Sequence, residues 1–351
     1  MPPEITLTVV DQSPVRAGGD AAQALTETVA LAVAAEAAGY DRYWVTEHHN
    51  SGSLAGTAPE ILIGQIAAHT DRIRVGSAGV MLTHYSAFKV SEVFKLLSAF
   101  YPGRIDLGIG RAPGSDQQTA AALAYPKPVM DVQHFPGQVA DVLAYLHDAV
   151  PEGHVFTGLR AQAGPLLEGR PEVWLLGSSD YSAQLAAAMG LPFAFADFFG
   201  YAGEQGPAIA AMYRTHFKPS QYLQEPRANV TLNVFCAETD ERARFLNSSR
   251  RLQVAQSRTG QRRQPLLPPD EAWPLVSHSE NAPIVERFTK HMIEGSPETV
   301  RERVLDAVDR YQTTDVGINT NTFAYEDRLR SYQLVAEAFG WRPVQAATQA
   351  D

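Results

Sequence analysis

Cysteine is almost missing from this chain: Cys236 is the only one in 351 residues. That excludes an internal disulfide and any metal site built from several thiolates. Positive charge is scarce too, with 29 Lys and Arg against 39 Asp and Glu and a net charge of −10. Nucleic acid is therefore not an expected partner, because phosphate backbones are held by a surplus of cations. An acidic surface suits a protein that handles small molecules. No hydrophobic run reaches the length of a membrane helix, and residues 1–25 lack the basic-then-apolar order of a signal peptide. The expectations are no membrane association and a cytoplasmic location. A dinucleotide fingerprint is absent as well: the first turn after a strand reads Asp11-Gln12-Ser13-Pro14, which argues against an open doubly wound sheet and against a bound NAD(P)H.

What the chain does have is an alternation of β-rich runs and amphipathic stretches. Residues 5–10, 41–46, 73–77, 105–109, 173–176, 193–196, 229–236 and 316–320 read as eight strands. Between them Leu25, Val29, Val33 and Ala37 recur every four residues until Gly39 stops the helix, and further helical patterns cover 58–70, 86–100, 132–150, 203–217, 241–256 and 326–339. Eight parallel βα units predict an α/β fold, a (β/α)8 TIM barrel with insertion loops that takes up the whole chain, 1–351, as one domain. A hairpin is expected at 154–167 and an irregular loop at 111–128. The longest irregular stretch, 258–295, holds Pro265, Pro268, Pro269, Pro274 and Pro283; it reads as a mobile lid or as a disordered excursion. Arg258, Arg262 and Arg263 make it the expected trypsin target.

Barrels carry their chemistry at the carboxyl ends of their strands. Residues 101–114, YPGRIDLGIGRAPG, end a strand in glycines around Gly110 and then Arg111, bringing bare backbone N–H groups and a guanidinium to one spot that suits an anion. Gly177, Ser178, Ser179 and Asp180 open a helix, where hydroxyls and free N–H groups serve as a cap or as an anion site. The loops after the fourth and fifth strands are neighbours in such a barrel, so Arg111, Ser178 and Ser179 can grip one phosphate. After the second strand, Glu47, His48 and His49 combine imidazoles that move protons near neutral pH with a carboxylate that can orient them. Adjacent histidines do not converge easily on one ion, so no metal site is expected. His84 is a second polar contact or an ordinary loop histidine. Tyr43, Tyr85, Phe195, Asp197, Phe198 and Phe199 are candidates for lining an aromatic substrate pocket.

The order YWVTEHH, RIRVGSAGVML and PGRIDLGIGRA, followed by GSSDYSAQLAAAMGLPFAFADFF at 177–199 and GSPETVRERV at 295–304, resembles the luciferase-like flavin-dependent monooxygenases over nearly the whole chain. The resemblance implies FMN, used as a reduced cosubstrate that a separate flavin reductase supplies, and monooxygenation of a small organic substrate. A deazaflavin-dependent hydride transfer on the same barrel and a non-catalytic flavin-binding protein are the alternatives. It also implies that His48 manages protons beside the reactive face of the ring. Ser77, Ala78 and Gly79 fall on the segment where these enzymes often have a non-proline cis peptide against the ring, which makes Ala78–Gly79 the bond to inspect. Arg111, Ser178 and Ser179 match the family's phosphate contacts. Gly110 stands where the light-emitting members have a cysteine, so thiol-dependent behaviour is not expected; nothing identifies an aldehyde pocket, and light emission is not expected. The superfamily commonly dimerises through its early helices, and Ile61, Leu62 and Ile66 on more than one side of the 58–70 helix fit a homodimer.

Overall fold

The computed structural model describes residues 5–164, 168–200, 203–261, 264–278, 280 and 282–341. Among the described residues ten strands form: β1 (Thr6–Asp11), β2 (Arg42–Val45), β3 (Arg74–Ser77), β4 (Val80–Met81), β5 (Ile105–Gly110), β6 (Glu172–Gly177), β7 (Phe193–Ala196), β8 (Ala228–Cys236), β9 (Ile293–Gly295) and β10 (Asp315–Asn319). Eight of them pair in parallel in the order β1-β2-β3-β5-β6-β7-β8-β10, and β10 also pairs with β1, which closes the ring. With helices packed outside, this is a (β/α)8 barrel. The two short strands are additions at carboxyl ends, β4 on β5 and β9 on β8.

Strand alternation decides which side chains enter the barrel. On β2, Tyr43 and Val45 turn out into the core beneath the helices, while Arg42 and Trp44 turn in. The amino-terminal end of the interior is plugged by charge: Arg42 Nη1 donates to Asp315 Oδ2 (2.9 Å), and the Trp44 indole donates to Asp106 Oδ2 (2.9 Å). Above that plug Trp44 and Trp174 meet edge to face with ring centroids 5.2 Å apart, packed with Val10 and Ala194. Gly76 makes the room for this layer, since a Cβ there would sit 2.6 Å from Asp106 Cβ and 3.0 Å from the Trp44 ring. Ala78 and Leu176 pack on the tryptophans and face the cavity above, so the tryptophan layer is the floor on which the site rests.

Several expectations change. The stretch 258–295 is not irregular among its described residues, because helices Pro269–Ser277 and Ala282–Thr289 and strand β9 occupy it. Its prolines hid them: Pro269 and Pro283 stand in first turns, where a missing N–H costs no hydrogen bond. Leu266 is tied to the loop after β1, its carbonyl accepting from the Ala17 N–H (2.8 Å). Arg262 and Arg263 lie outside the described residues. In the expected loop at 111–128, helix Gln117–Ala124 forms on a cap from Asp116, whose Oδ1 accepts the Thr119 N–H at 2.8 Å. The expected hairpin is absent from residues 154–164, which run as turns, with Gly158 in the left-handed region (φ +89°) interrupting any extended run; its Leu167 end lies outside the described residues. The 241–256 pattern is two helices, Asp240–Leu246 and Ser248–Arg258, that meet at Asn247. Among the described residues no helix is long and apolar enough to cross a membrane.

Candidate active site

One cavity opens at the carboxyl ends of the strands, above the tryptophan layer. The loop after β2 contributes Thr46, Glu47 and His48; the end of β3 contributes Ala78 and Gly79; the end of β5 contributes Gly110 and Arg111. Gly177, Ser178 and Ser179 follow β6, and Ala194, Ala196, Phe198 and Phe199 come from β7 and the turn after it. His48 and Ser178 thus face one another across the arc β2-β3-β5-β6.

One side of the cavity gathers a guanidinium, hydroxyls and a helix start. Arg111 stacks its guanidinium 4.1 Å over the ring of Tyr181, which holds it beside the turn after β6. Ser179 is the N-cap of helix Asp180–Met189, yet its hydroxyl makes no capping bond, and Asp180 turns its own carboxylate to the Tyr181 N–H (2.9 Å). The serine hydroxyls are therefore not consumed by the helix start, whose N–H groups and dipole favour negative charge.

On the opposite side stand His48 and Glu47. The His48 N–H donates to the Gly56 carbonyl (2.8 Å), and its ring Nδ1 lies 3.0 Å from Thr46 Oγ1. Glu47 is buried and fully engaged: Oε1 accepts from the Tyr85 hydroxyl (2.9 Å) and is 2.8 Å from His49 Nε2, while Oε2 accepts from the Met81 N–H (3.0 Å). It orients His49 and anchors the wall. Burial, then the neighbouring Glu47, pushes the Tyr85 phenol well up, so Tyr85 stays a donor to Glu47.

Between the two sides the cavity wall is made of small residues, Ala78, Gly79, Ala194 and Ala196, and the Ala78–Gly79 peptide is cis. Sequence reasoning missed the two alanines of β7, although Phe193-Ala194-Phe195-Ala196 carries the period-two signal that places them inward. The same alternation moves two expected lining residues. Phe195 packs in the outer core beside Tyr311, and Tyr43 is buried there with its hydroxyl on Asp11 Oδ2. Tyr85 faces a separate surface groove, and Asp197 bonds to Tyr311 with its carboxyl raised by burial. Phe198 and Phe199 do line the cavity. Ser77 does not, because its hydroxyl stitches β3 to β5 through the Gly108 N–H (3.0 Å) and carbonyl (2.9 Å). His49 belongs to a neighbouring cleft, and His84 ties down the next loop through the Pro113 carbonyl (2.7 Å). Cys236 is buried, and that burial pushes its thiol up to about 12. Among the described residues no group of three or more His, Cys, Asp or Glu is placed to hold a metal ion.

The profile of the luciferase-like monooxygenase family matches residues 5–314. YwcH of Bacillus subtilis (strain 168) is 44% identical over 339 residues, spanning 95% of this chain and 99% of that protein. The N-acetyl-S-alkylcysteine monooxygenase of the same organism is 37% identical over 342 residues, spanning 95% and 98%. Among solved structures, apo-MsnO8 superposes with a TM-score of 0.88 at 37% identity, covering 97% of this chain and all of that one. The barrel alone is shared with two others. One is the oxygenating constituent of a 3,6-diketocamphane monooxygenase from Pseudomonas putida in complex with FMN (19% identity, TM-score 0.69, 95% and 97% covered). The other is a coenzyme F420 dependent tetrahydromethanopterin reductase from Methanopyrus kandleri (12%, 0.65, 97% and 100%).

Proposed function

The chain belongs to the luciferase-like monooxygenase family, and from that premise we propose that it binds FMN in the cavity and oxygenates a small organic substrate with reduced flavin from a separate reductase. The observation that carries this reading is one cavity lined by Arg111, Ser178 and Ser179, by His48, and by the small residues Ala78, Gly79, Ala194 and Ala196. Those residues fit the group: an unconsumed pair of hydroxyls and a stacked guanidinium for a phosphate, and a wall of alanine and glycine for a flat ring. When bound, reduced flavin supplies the electrons that activate oxygen. The protein does the rest. Arg111, Ser178 and Ser179 hold the phosphate; Phe198 and Phe199 help exclude water from the cavity mouth; Thr46 fixes His48 so that Nε2 gives or takes a proton at the reacting centre.

Titration of the purified protein with FMN, riboflavin and a deazaflavin tests the cofactor. Arg111→Ala is expected to weaken FMN binding by about 1.5–3 kcal/mol, the range for hydrogen bonds to charged groups, while riboflavin binding changes little. Equal losses for both ligands would make Arg111 structural. Tight deazaflavin binding with none of FMN would select the hydride-transfer alternative, and FMN binding without oxygen uptake on reduction would leave a flavin-binding protein. N-acetyl-S-alkylcysteines, named for the 37% identical relative, are the first substrates to assay.

A homodimer through the early helices is part of this reading. Ile61 is 64% exposed on helix Pro59–Ala68, and Leu96 (52%) and Phe100 (68%) are one turn apart on helix Ala87–Phe100, which packs beside it. Apolar side chains gathered at one place on the surface suit a second copy of the chain. Light scattering at micromolar concentration is expected to give twice the 38.2 kDa chain mass, and Phe100→Glu to give the single mass. A wild-type monomer under those conditions refutes it.

A further inference from the structure

Two of the chain's four tryptophans, Trp44 and Trp174, are enclosed inside the barrel, with ring centroids 5.2 Å apart at an interplanar angle of 65°. Val10, Ala78, Leu176 and Ala194 pack on them and also line the candidate flavin cavity, so one layer of side chains separates the indoles from it. Both indole N–H groups donate to carboxylates, Trp44 to Asp106 Oδ2 (2.9 Å) and Trp174 to Glu172 Oε2 (2.9 Å). A buried indole needs one acceptor, and a neutral one serves. Carboxylates at both positions put a base on each ring nitrogen. Asp106 is fully buried, and burial pushes its carboxyl up against the pull of Arg74 and Arg42, which makes it a stronger proton acceptor than an ordinary aspartate. Glu172 opens β6 at the amino-terminal end of the barrel, paired with Arg227.

Charge decides what such a pair can do. Arg42 lies 5.4 Å from the Trp174 ring and 5.9 Å from the Trp44 ring, and Arg227 lies 4.6 Å over Trp174. A cation over the face suits a neutral ring but opposes positive charge on it. An indole that loses an electron here is therefore stable only if its N–H proton passes to the carboxylate, leaving a neutral radical that the arginines do not repel. The structure supplies that acceptor at both rings. The parts also have a direction. Above the indoles is the cavity; at the other end of the barrel the side chains of Glu172 and Arg227 are 31% and 35% exposed, and Arg42 and Arg227 line a second cavity of about 660 Å³ with room for a small reductant.

We propose that Trp44 and Trp174 form an electron relay that drains one-electron oxidants from the cavity to the amino-terminal end of the barrel. One electron leaves the Trp44 indole and reduces the oxidant, an oxygen radical formed when oxygen is activated without substrate; the N–H bond breaks and its proton goes to Asp106. An electron from Trp174 then restores Trp44, which takes its proton back from Asp106, while Trp174 gives its own to Glu172. A small thiol at the amino-terminal end gives Trp174 one electron and one proton and leaves as a thiyl radical, and the Glu172 proton passes to water. That the oxidant arises in this cavity rests on the flavin reading above; the relay itself does not. The test is flash excitation of FMN-loaded protein, in which excited FMN is the one-electron oxidant. Bound FMN is expected to show an emission lifetime several-fold shorter than free FMN, followed by the absorption of a neutral indolyl radical. Trp44→Phe should lengthen that lifetime several-fold with FMN affinity unchanged. Trp174→Phe should keep the first transfer but shorten the life of the radical several-fold, because the hole cannot move on. If neither variant folds, Glu172→Gln, which keeps an acceptor for the indole but takes no proton, is expected to replace part of the neutral radical signal by that of the radical cation. Failure to detect an indolyl radical overturns the proposal, and so does an unchanged lifetime in folded Trp44→Phe, which would give the quenching to Tyr85 or Tyr181. If FMN does not bind, the flavin reading falls and the relay is driven from its other end, by a ruthenium photo-oxidant attached at Thr314→Cys in the amino-terminal cavity, the native Cys236 being buried. The same radical is expected there and is lost in Trp174→Phe; its absence from the labelled protein overturns the relay.

Discussion

Replacing His48 by alanine is expected to leave folding and FMN affinity unchanged and to lower oxygenated product by a factor on the order of 10²–10⁴, the usual contribution of a positioned acid or base. The expectation comes from geometry. His48 projects into the cavity from the loop after β2, its main-chain N–H pinned to Gly56 and its Nδ1 to Thr46. With its proton carrier gone, the site should still bind and shield the flavin but lose control of where the proton goes, so that reducing equivalents leave as hydrogen peroxide. The measurement is the ratio of oxygenated product to peroxide at a fixed supply of reduced FMN. His48→Gln should behave like alanine, because an amide of similar size does not titrate. An unchanged ratio in both variants would assign proton handling elsewhere, with His49, 2.8 Å from the buried Glu47, next in line.

The largest effect on stability is expected at Asp11, outside the cavity. Asp11, the last residue of β1, is fully buried and tied to helix Tyr325–Ala338: Arg328 pairs with it, the Tyr43 hydroxyl donates to Oδ2, and the Ser13 N–H donates to Oδ1 (2.7 Å). Arg328 is 2% exposed and its other recorded bond is to the Thr320 carbonyl (2.9 Å). Asp11→Ala strips the guanidinium of its counter-charge, and breaking a buried pair in this way costs about 3–5 kcal/mol. Denaturant unfolding should show that loss, while the double change Asp11→Leu with Arg328→Met should recover most of it, since a packed apolar pair needs no counter-charge. A cost under about 1 kcal/mol for the single change, the size of an exposed pair, would refute the role. Burial raises the Asp11 carboxyl, but Arg328, Tyr43 and Ser13 outweigh it and leave it below its ordinary value. A depressed carboxylate stabilises the fold above its unfolded value, about 3.9, and loses that contribution as pH falls through the folded one. The stability gap between wild type and Asp11→Asn should therefore narrow below about pH 4.

Much of the molecule was legible in order. Expected strands match observed ones to within a residue or two, with β7 the same at both ends, because a strand's run of β-branched and aromatic residues bounded by Gly, Pro or Asp is a local signal. Arg111, Ser178, Ser179, His48, Ala78 and Gly79, named from motif positions, stand around one cavity. The errors share a cause. Tyr43 and Phe195 were read as pocket residues for their aromatic character, but the phase of the alternation, not the residue type, decides which face of a barrel strand a side chain takes. Ser77 was named from its place in the family's segment, and its hydroxyl is spent on Gly108; Glu47 does line the cavity, with its carboxylate engaged by Tyr85, His49 and Met81.

By itself, then, the sequence determined the eight βα units, the acidic character and the motifs that end the strands. Closure of the barrel was not: β10 meets β1 across most of the chain's length, and only that ring sets which strand ends face one another. The tryptophan floor, the pairing of Arg328 with Asp11 and the pairing of Arg42 with Asp315 each join residues more than a hundred positions apart. Contacts of that range leave no local signature, because what selects them is the packing of whole elements against each other.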